Sequence, residues 1–336
     1  MIDTRQALKS NYEIHFENKI FKISGEIGRG ANCIVYDAST TDSAGTVHNV
    51  RIKECYPCNL SIAREDGELK LAEGDIDRYS LSKERFIQAY KNNVSFRGMS
   101  GIINSTVNST DIFESNNTIY TVMSMDEGIC YSDYTDSSLK EVLEHVKTLA
   151  GLIKKYHDNG YLHMDIKPDN VFILPETTEH ILLFDFETVR KLEDIKSGKV
   201  QMLEFTKGFS APEQMYGQTG KIGKYTDIYS VGAVLFSKIF GRNAESGDGE
   251  LFAEYDFENM LYKDKMYQPK LYRLLDIFFR KTLAISPVLR YKDMQQVTEA
   301  LDELIKAADI DGTYLIDSFQ YNSANFVGRD DELEEI

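Results

Sequence analysis

The densest chemistry in the sequence lies in His163-Met-Asp-Ile-Lys-Pro-Asp-Asn170. Asp165 can accept a proton from a hydroxyl, Lys167 can neutralise a phosphoryl group in transfer, and Asn170 can ligate a metal, with Pro168 stiffening the loop. An Asp followed five residues later by an Asn is expected about once by chance in a chain this long, but the whole octapeptide is not. Asp185 closes the apolar run Ile181 to Phe184, where a carboxylate on a rigid strand end can hold Mg²⁺ against phosphates; a turn-initiating aspartate is the alternative. Further upstream, Gly28-Arg-Gly-Ala-Asn-Cys-Ile-Val-Tyr36 sets two glycines between apolar runs, so that backbone N–H groups can approach phosphate oxygens. Most Gly-x-Gly pairs are plain turns. Val50-Arg-Ile-Lys53 then carries a lysine that belongs on the surface unless it meets an anion.

The elements that must position these groups change character along the chain. Residues 12 to 125 hold short β-type runs, among them Phe21 to Ile23, Cys33 to Tyr36, Val50 to Ile52 and Ile119 to Met123. One helical segment, Ser82 to Val94, interrupts them, with Phe86, Ala89 or Tyr90, and Val94 at helix spacing. Beyond residue 137 the apolar period becomes helical. Leu139, Val142, Leu143, Val146, Leu149, Leu152, Ile153 and Tyr156 share one face of a helix that stops at Asn159-Gly160. Further helices are predicted over Ile228 to Phe240, Leu271 to Leu283 and Met294 to Ala308, and a short strand element at His180 to Phe186 leads into a polar loop from Glu187 to Gly208. A β-rich half with one helix followed by a helical half is an α+β architecture.

Composition removes several function classes. Lys and Arg total 38 against 54 Asp and Glu, a net charge of −16, which gives a nucleic-acid backbone little to hold. No run approaches the ~20 apolar residues a membrane helix needs, and the start lacks an apolar signal core, so a cytoplasmic chain is expected. The four cysteines are too few and too irregular for a disulfide framework or a four-ligand zinc site, and reduced thiols are expected. Cys55-Tyr-Pro-Cys58 has the spacing of a redox pair but lacks the βαβ surroundings such pairs use.

The order of glycine-rich loop, strand lysine, H-x-D-I-K-P-x-N loop, Asp185-Phe-Glu187 and Ala211-Pro-Glu213 resembles the protein-kinase family, bacterial-type serine/threonine kinases in particular, over about residues 12 to 306. Thr206-Lys-Gly-Phe-Ser-Ala-Pro-Glu213, Thr226-Asp-Ile-Tyr-Ser-Val-Gly232 and Arg290 extend the match. The resemblance implies a bilobal fold, with a small β-rich N-lobe at 1–125, a helical C-lobe at 126–308 and a linker at 309–336. It implies transfer of the γ-phosphoryl group of ATP, with Mg²⁺ or Mn²⁺, to Ser or Thr hydroxyls of protein substrates. Carried over by position, Lys53 resembles the lysine on the α- and β-phosphates, Asp165 the catalytic base, and Asn170 and Asp185 the metal ligands. Gly28, Gly30 and Val35 resemble the cover over the nucleotide, and Met123 and Met125 the segment behind and beside the adenine. Lys167 and Thr206 mark serine/threonine chemistry, Glu213 is expected to pair with Arg290, and Asp227 to brace the catalytic loop.

Several positions depart from that pattern. Cys33 stands at the third glycine of the loop. Met164 replaces an arginine that would meet a phosphorylated activation loop, which argues against that form of control. Glu187 replaces the glycine of D-F-G and brings a further carboxylate toward the metals. Ala89 falls where the helix glutamate that pairs with the strand lysine is expected; Glu84 is the nearest substitute, yet five residues at ~100° turn it about 140° away. A nucleotide-binding pseudokinase acting on an attached or partner module is therefore the alternative reading. A small-molecule phosphotransferase is the other, opposed by Thr206 to Glu213, which resembles a peptide-docking platform. Asn325 to Ile336 resembles the opening segment of AAA+-like signalling NTPase modules, so a following module is expected; a polar tail is the plain alternative.

Overall fold

The computed structural model describes residues 3–97, 109–124, 128–174, 181–199, 203–249 and 269–309. The expectation of a following NTPase module, resting on Asn325 to Ile336, lies outside the described residues, as does Met125. Two compact units are present: Met1–Asp133 with Pro168–Lys191, and Tyr134–Lys167 with Leu192–Ile336. The chain thus returns to the first unit for one short stretch, and that stretch carries Asn170 and Asp185.

The first unit is built on a six-stranded antiparallel sheet. Its strands are β1 (Glu13–Phe16), β2 (Lys19–Arg29), β3 (Cys33–Thr41), β4 (Val47–Cys55), β7 (Ser109–Ser115) and β8 (Thr118–Ser124), in the order β1-β2-β3-β4-β8-β7. Between β4 and β7 the chain makes a hairpin of β5 (Ile62–Glu65) and β6 (Glu68–Leu71), then helix α1 (Ile76–Arg97). Asp66 and Gly67 turn this hairpin with φ of 50° and 93°, and Glu65 faces Glu68 in register. Left-handed backbone at both turn residues matches the twist of the strands, and Gly at the second position carries no steric cost there. Phe21, Ile23, Ile34, Tyr36, Ile52, Val122 and Phe86 form the core of this unit.

Helix α1 is longer than the Ser82 to Val94 reading. Its buried residues are Tyr79, Phe86, Asn93 and Phe96, whereas Val94 is 47% exposed. The inward face is thus set one residue away from Val94. Asn93 holds its place by accepting a hydrogen bond from the Ser109 amide at 3.2 Å, which satisfies a buried polar side chain.

The second unit is helical. Helix α2 (Leu139–Asp158) starts where Ser138 caps the Glu141 amide and buries the apolar stripe read from the sequence. The short helix α4 (Pro212–Met215) and the longer α5 (Lys224–Phe240), α6 (Pro269–Thr282) and α7 (Met294–Ala308) follow. The stretch expected as a polar loop from Glu187 to Gly208 instead carries β13 (Arg190–Lys191) and α3 (Leu192–Lys196). Ile195 of α3 anchors there by packing with Leu162, Met164 and Ile222. Cys33, Cys55, Cys58 and Cys130 are all free thiols.

Candidate active site

In the first unit, strand pairing fixes the positions of Asn170 and Asp185, the two residues expected to ligate a metal. After the two-residue strands β9 (Ile129–Cys130) and β10 (Tyr161–Leu162), strand β11 (Val171–Ile173) lies antiparallel to β12 (Ile181–Leu183), with Val171 opposite Leu183. Asn170 directly precedes β11 and Asp185 follows β12 with only Phe184 between, so both emerge at the same end of the ladder. The Phe184 amide donates to the Asn170 carbonyl at 3.2 Å and extends the pairing to that end. Asp185 sits at φ 66°, a left-handed conformation that aspartate tolerates better than most residues. Such an outlier persists only where its surroundings hold it; here Phe184 stacks on Phe172 at 4.4 Å, and Phe186 is buried against Phe96.

Lys53 lies near the C-terminal end of β4, opposite Val35 on β3 and Thr121 on β8. Its ammonium is 3.2 Å from Asp185 Oδ1 and 2.7 Å from Glu187 Oε1, and it lies over the Phe86 ring of α1. Burial alone would depress the lysine, but Asp185 and Glu187 hold its pKa well above the ordinary value. Glu187 also accepts from the Asn32 side chain at 3.1 Å. Glu84, the substitute expected from the sequence, is exposed, and among the described residues the carboxylates in ion-pair contact with Lys53 are those of Asp185 and Glu187. The helix register explains the correction: with Phe86 facing the sheet, a residue two positions earlier points about 200° away. A pocket lined by Lys53, Phe86, Ala89, Met123, Asp185 and Glu187 gathers these groups.

The glycine-rich turn joins β2 to β3, with Gly28 opposite Val35 and the Gly30 amide donating to the Cys33 carbonyl. Among the described residues a Cβ at Gly28 would meet nothing within 4 Å, so its bareness serves no packing there and leaves open backbone. Cys33 is buried in the core, and burial pushes its thiol up to about 12, which makes it inert packing. The sequence reading missed Arg5. Its buried guanidinium donates to the carbonyls of Gly30 at 2.8 Å, Cys33 at 3.2 Å and Tyr56, and Asp3 pairs with it at 2.6 Å. Arg29 in turn donates to the Arg5 carbonyl at 2.8 Å, so the first residues strap the turn. No local motif announces this contact, because it depends on two segments meeting in three dimensions.

The second unit brings a carboxylate, a lysine and a hydroxyl together. Asp165 Oδ2 pairs with Lys167 at 2.7 Å, and its Oδ1 accepts from the Thr206 hydroxyl at 2.7 Å; Lys167 also donates to that hydroxyl at 3.2 Å. Buried Asp227 accepts from the amides of His163 and Met164, both at 2.9 Å, and from His157 Nε2 at 2.8 Å. Burial pushes the Asp227 carboxyl upward, but His157 and the two amides outweigh it and hold the pKa below the ordinary value. Met164, at φ 70°, is held from both sides, since its carbonyl also accepts from Gln214 Nε2 at 2.7 Å. Arg290 and Glu213 form the expected pair, bidentate at 2.7 and 2.9 Å and fully buried, with Thr226 donating to the same carboxylate. Removing one partner of such a pair strands a charge in the interior.

Comparison with known proteins bears on the family and the fold. The protein kinase domain family matches residues 82–305, and the chain belongs to that family. The match begins after the glycine-rich turn and Lys53, so those two features rest on the fold described above. Calcium-dependent protein kinase 27 of Arabidopsis thaliana is 24% identical over 324 residues, which cover 91% of this chain and 60% of that protein. Probable serine/threonine-protein kinase PknB of Lactococcus lactis is 21% identical, over 82% of this chain and 40% of the relative. The chain spans less than two thirds of the length of the curated relatives it matches. A solved structure titled "PpkA-294 apo form" superposes with a TM-score of 0.63 at 24% identity, covering 88% of this chain and 99% of that one. This last likeness speaks for the fold, a curled β-sheet unit and a helical unit.

Proposed function

We propose that the chain is a serine/threonine protein kinase that transfers the γ-phosphoryl group of ATP to a hydroxyl of another protein. The observation that carries this reading is the Asp165–Lys167–Thr206 arrangement, a carboxylate with a lysine on one oxygen and a hydroxyl on the other. Asp165 Oδ1 accepts the proton of an incoming serine or threonine, in the hydrogen-bonding direction the Thr206 hydroxyl now takes. Lys167 offsets the negative charge on the group in transfer. Thr206 orients the carboxylate and, together with Lys167, supports a serine/threonine acceptor.

The residues of the first unit fit a nucleotide and its cation. Lys53 offers a buried ammonium to phosphate oxygens, Asn170 and Asp185 offer two oxygen ligands at one end of a ladder, and Gly28 leaves room for close approach. Val35, Gly30 and Met123 complete the nucleotide side. Bound ATP with Mg²⁺ or Mn²⁺ supplies the activated phosphoryl group and neutralises charge on its oxygens. A cytoplasmic location belongs to this reading, because ATP and reduced thiols coexist there.

The test is transfer of labelled phosphate from ATP to the chain itself and to a generic basic protein. Transfer is expected from the parent, with Asp165→Ala and Asp185→Ala each lowering the rate about 10²- to 10⁴-fold. Tight ATP binding by a parent that transfers nothing would replace this reading with that of a nucleotide sensor.

A further inference from the structure

We propose that Glu187 is the positioning residue for Lys53, and that the lysine is therefore held by the segment after β12 and the glycine-rich turn rather than by helix α1. The inference rests on the kinase reading for its consequence in catalysis and on geometry for its substance.

A largely buried ammonium needs a permanent counter-charge. Among the described residues two carboxylates reach Lys53, and they differ in what else they must do. Asp185 stands at the end of the ladder beside Asn170, where its oxygens are shared with any cation. Glu187 makes the shorter contact, 2.7 Å, with its side chain only 10% exposed. Its second oxygen accepts from Asn32 in the glycine-rich turn, and its backbone carbonyl accepts from Arg190 at 2.5 Å. The carboxylate is thus anchored from its own backbone and from the turn above.

Helix α1 offers no such charge at the pocket. Its pocket-lining residues are Phe86, Ala89, Tyr90 and Asn93, and Glu84 is exposed. Ala89, one turn beyond Phe86, lines the same pocket as Lys53 and Glu187. An acid placed at residue 89 would approach the same ammonium from the helix. The site therefore admits one carboxylate from either of two elements, and this chain supplies it from the segment that also carries Asp185. An opposite role is open to the same contact: Glu187 could block Lys53 from phosphate, and its loss would then raise activity.

The experiment compares the parent with Glu187→Gln, Glu187→Gly and the double variant Ala89→Glu/Glu187→Gly. It reads kcat and KM for ATP and, separately, the Kd of ADP with Mg²⁺, with thermal unfolding as a check of folding. Loss of positioning is expected to lower kcat of Glu187→Gln and Glu187→Gly about 10- to 100-fold and to weaken ADP binding several-fold. The double variant should recover at least about ten-fold of the lost kcat, and the ADP affinity with it, because the acid returns to the same lysine. A rise in activity for Glu187→Gln, unchanged ADP affinity, or no recovery in a folded double variant would overturn the proposal. A parent without Asp165-dependent transfer would sink the kinase reading alone, and the ADP affinities would still decide the placement of Lys53.

Discussion

Asp227 gathers three hydrogen bonds on a carboxylate with no contact to water, and two come from consecutive amides of the loop that carries Asp165. Its charge is what makes the arrangement hold, because an amide side chain in its place presents donors to donors. Asp227→Asn should leave at least one buried amide unpaired and cost about 1–3 kcal/mol in urea unfolding at neutral pH. The sign with pH follows from a folded pKa below the ordinary value of ~3.9. The stabilisation is complete above that value and is lost as pH falls through the lower, folded pKa. The stability difference between parent and variant should therefore be flat from neutral pH to about pH 5 and shrink below about pH 4; a constant difference down to acid would contradict the assignment. Residues of this kind were legible in the sequence to different degrees. Asp165, Asn170 and Asp185 stand in short runs whose chemistry is local, whereas the pairing of Glu213 with Arg290, 77 residues away, came from the family resemblance and not from any local run. The partner of Lys53 was not legible, because it depends on which face of α1 turns inward and on a contact between distant segments. Arg5 had no local signal at all.

At the level of elements, the apolar period fixed the helices of the second unit closely and the strands of the first unit by their cores. The β5–β6 hairpin was missed although Asp66-Gly67 between polar-apolar alternations is a strong hairpin signal. Helix–helix contact was beyond the sequence, and Gly232 illustrates why. It lies in the middle of α5, where glycine costs helix stability, and a Cβ there would stand 2.4 Å from both Cβ and Oγ1 of Thr282 on α6. Close approach of two helices explains the residue better than flexibility does. Gly232→Ala should lower stability by about 1–3 kcal/mol through overpacking despite the better helix propensity of alanine. Adding Thr282→Ala should not relieve it, since the clash with Cβ remains and the bond from Thr282 to the Phe278 carbonyl is lost. Urea midpoints of the two single variants and the double variant check this; a double variant as stable as Thr282→Ala alone would refute the contact.

On the scale of the whole molecule, and under the proposed kinase function, the net charge of −16 works against one substrate and for another. A field of that sign repels the polyanionic nucleotide, so the local positive charge of Lys53 must overcome a general repulsion that salt screens. It attracts protein segments rich in lysine and arginine, and that attraction weakens as the screening length falls from roughly 30 Å at 0.01 M salt to 3 Å at 1 M. The two effects have opposite signs and can be separated in one assay. Raising salt from about 20 to 300 mM should lower kcat/KM for a basic peptide several-fold, while KM for ATP stays constant or falls. A neutral peptide of the same length should show little change in kcat/KM over that range. Parallel losses for basic and neutral peptides would mean that salt acts on the fold or on the site itself, and that the overall charge takes no part in choosing the protein substrate.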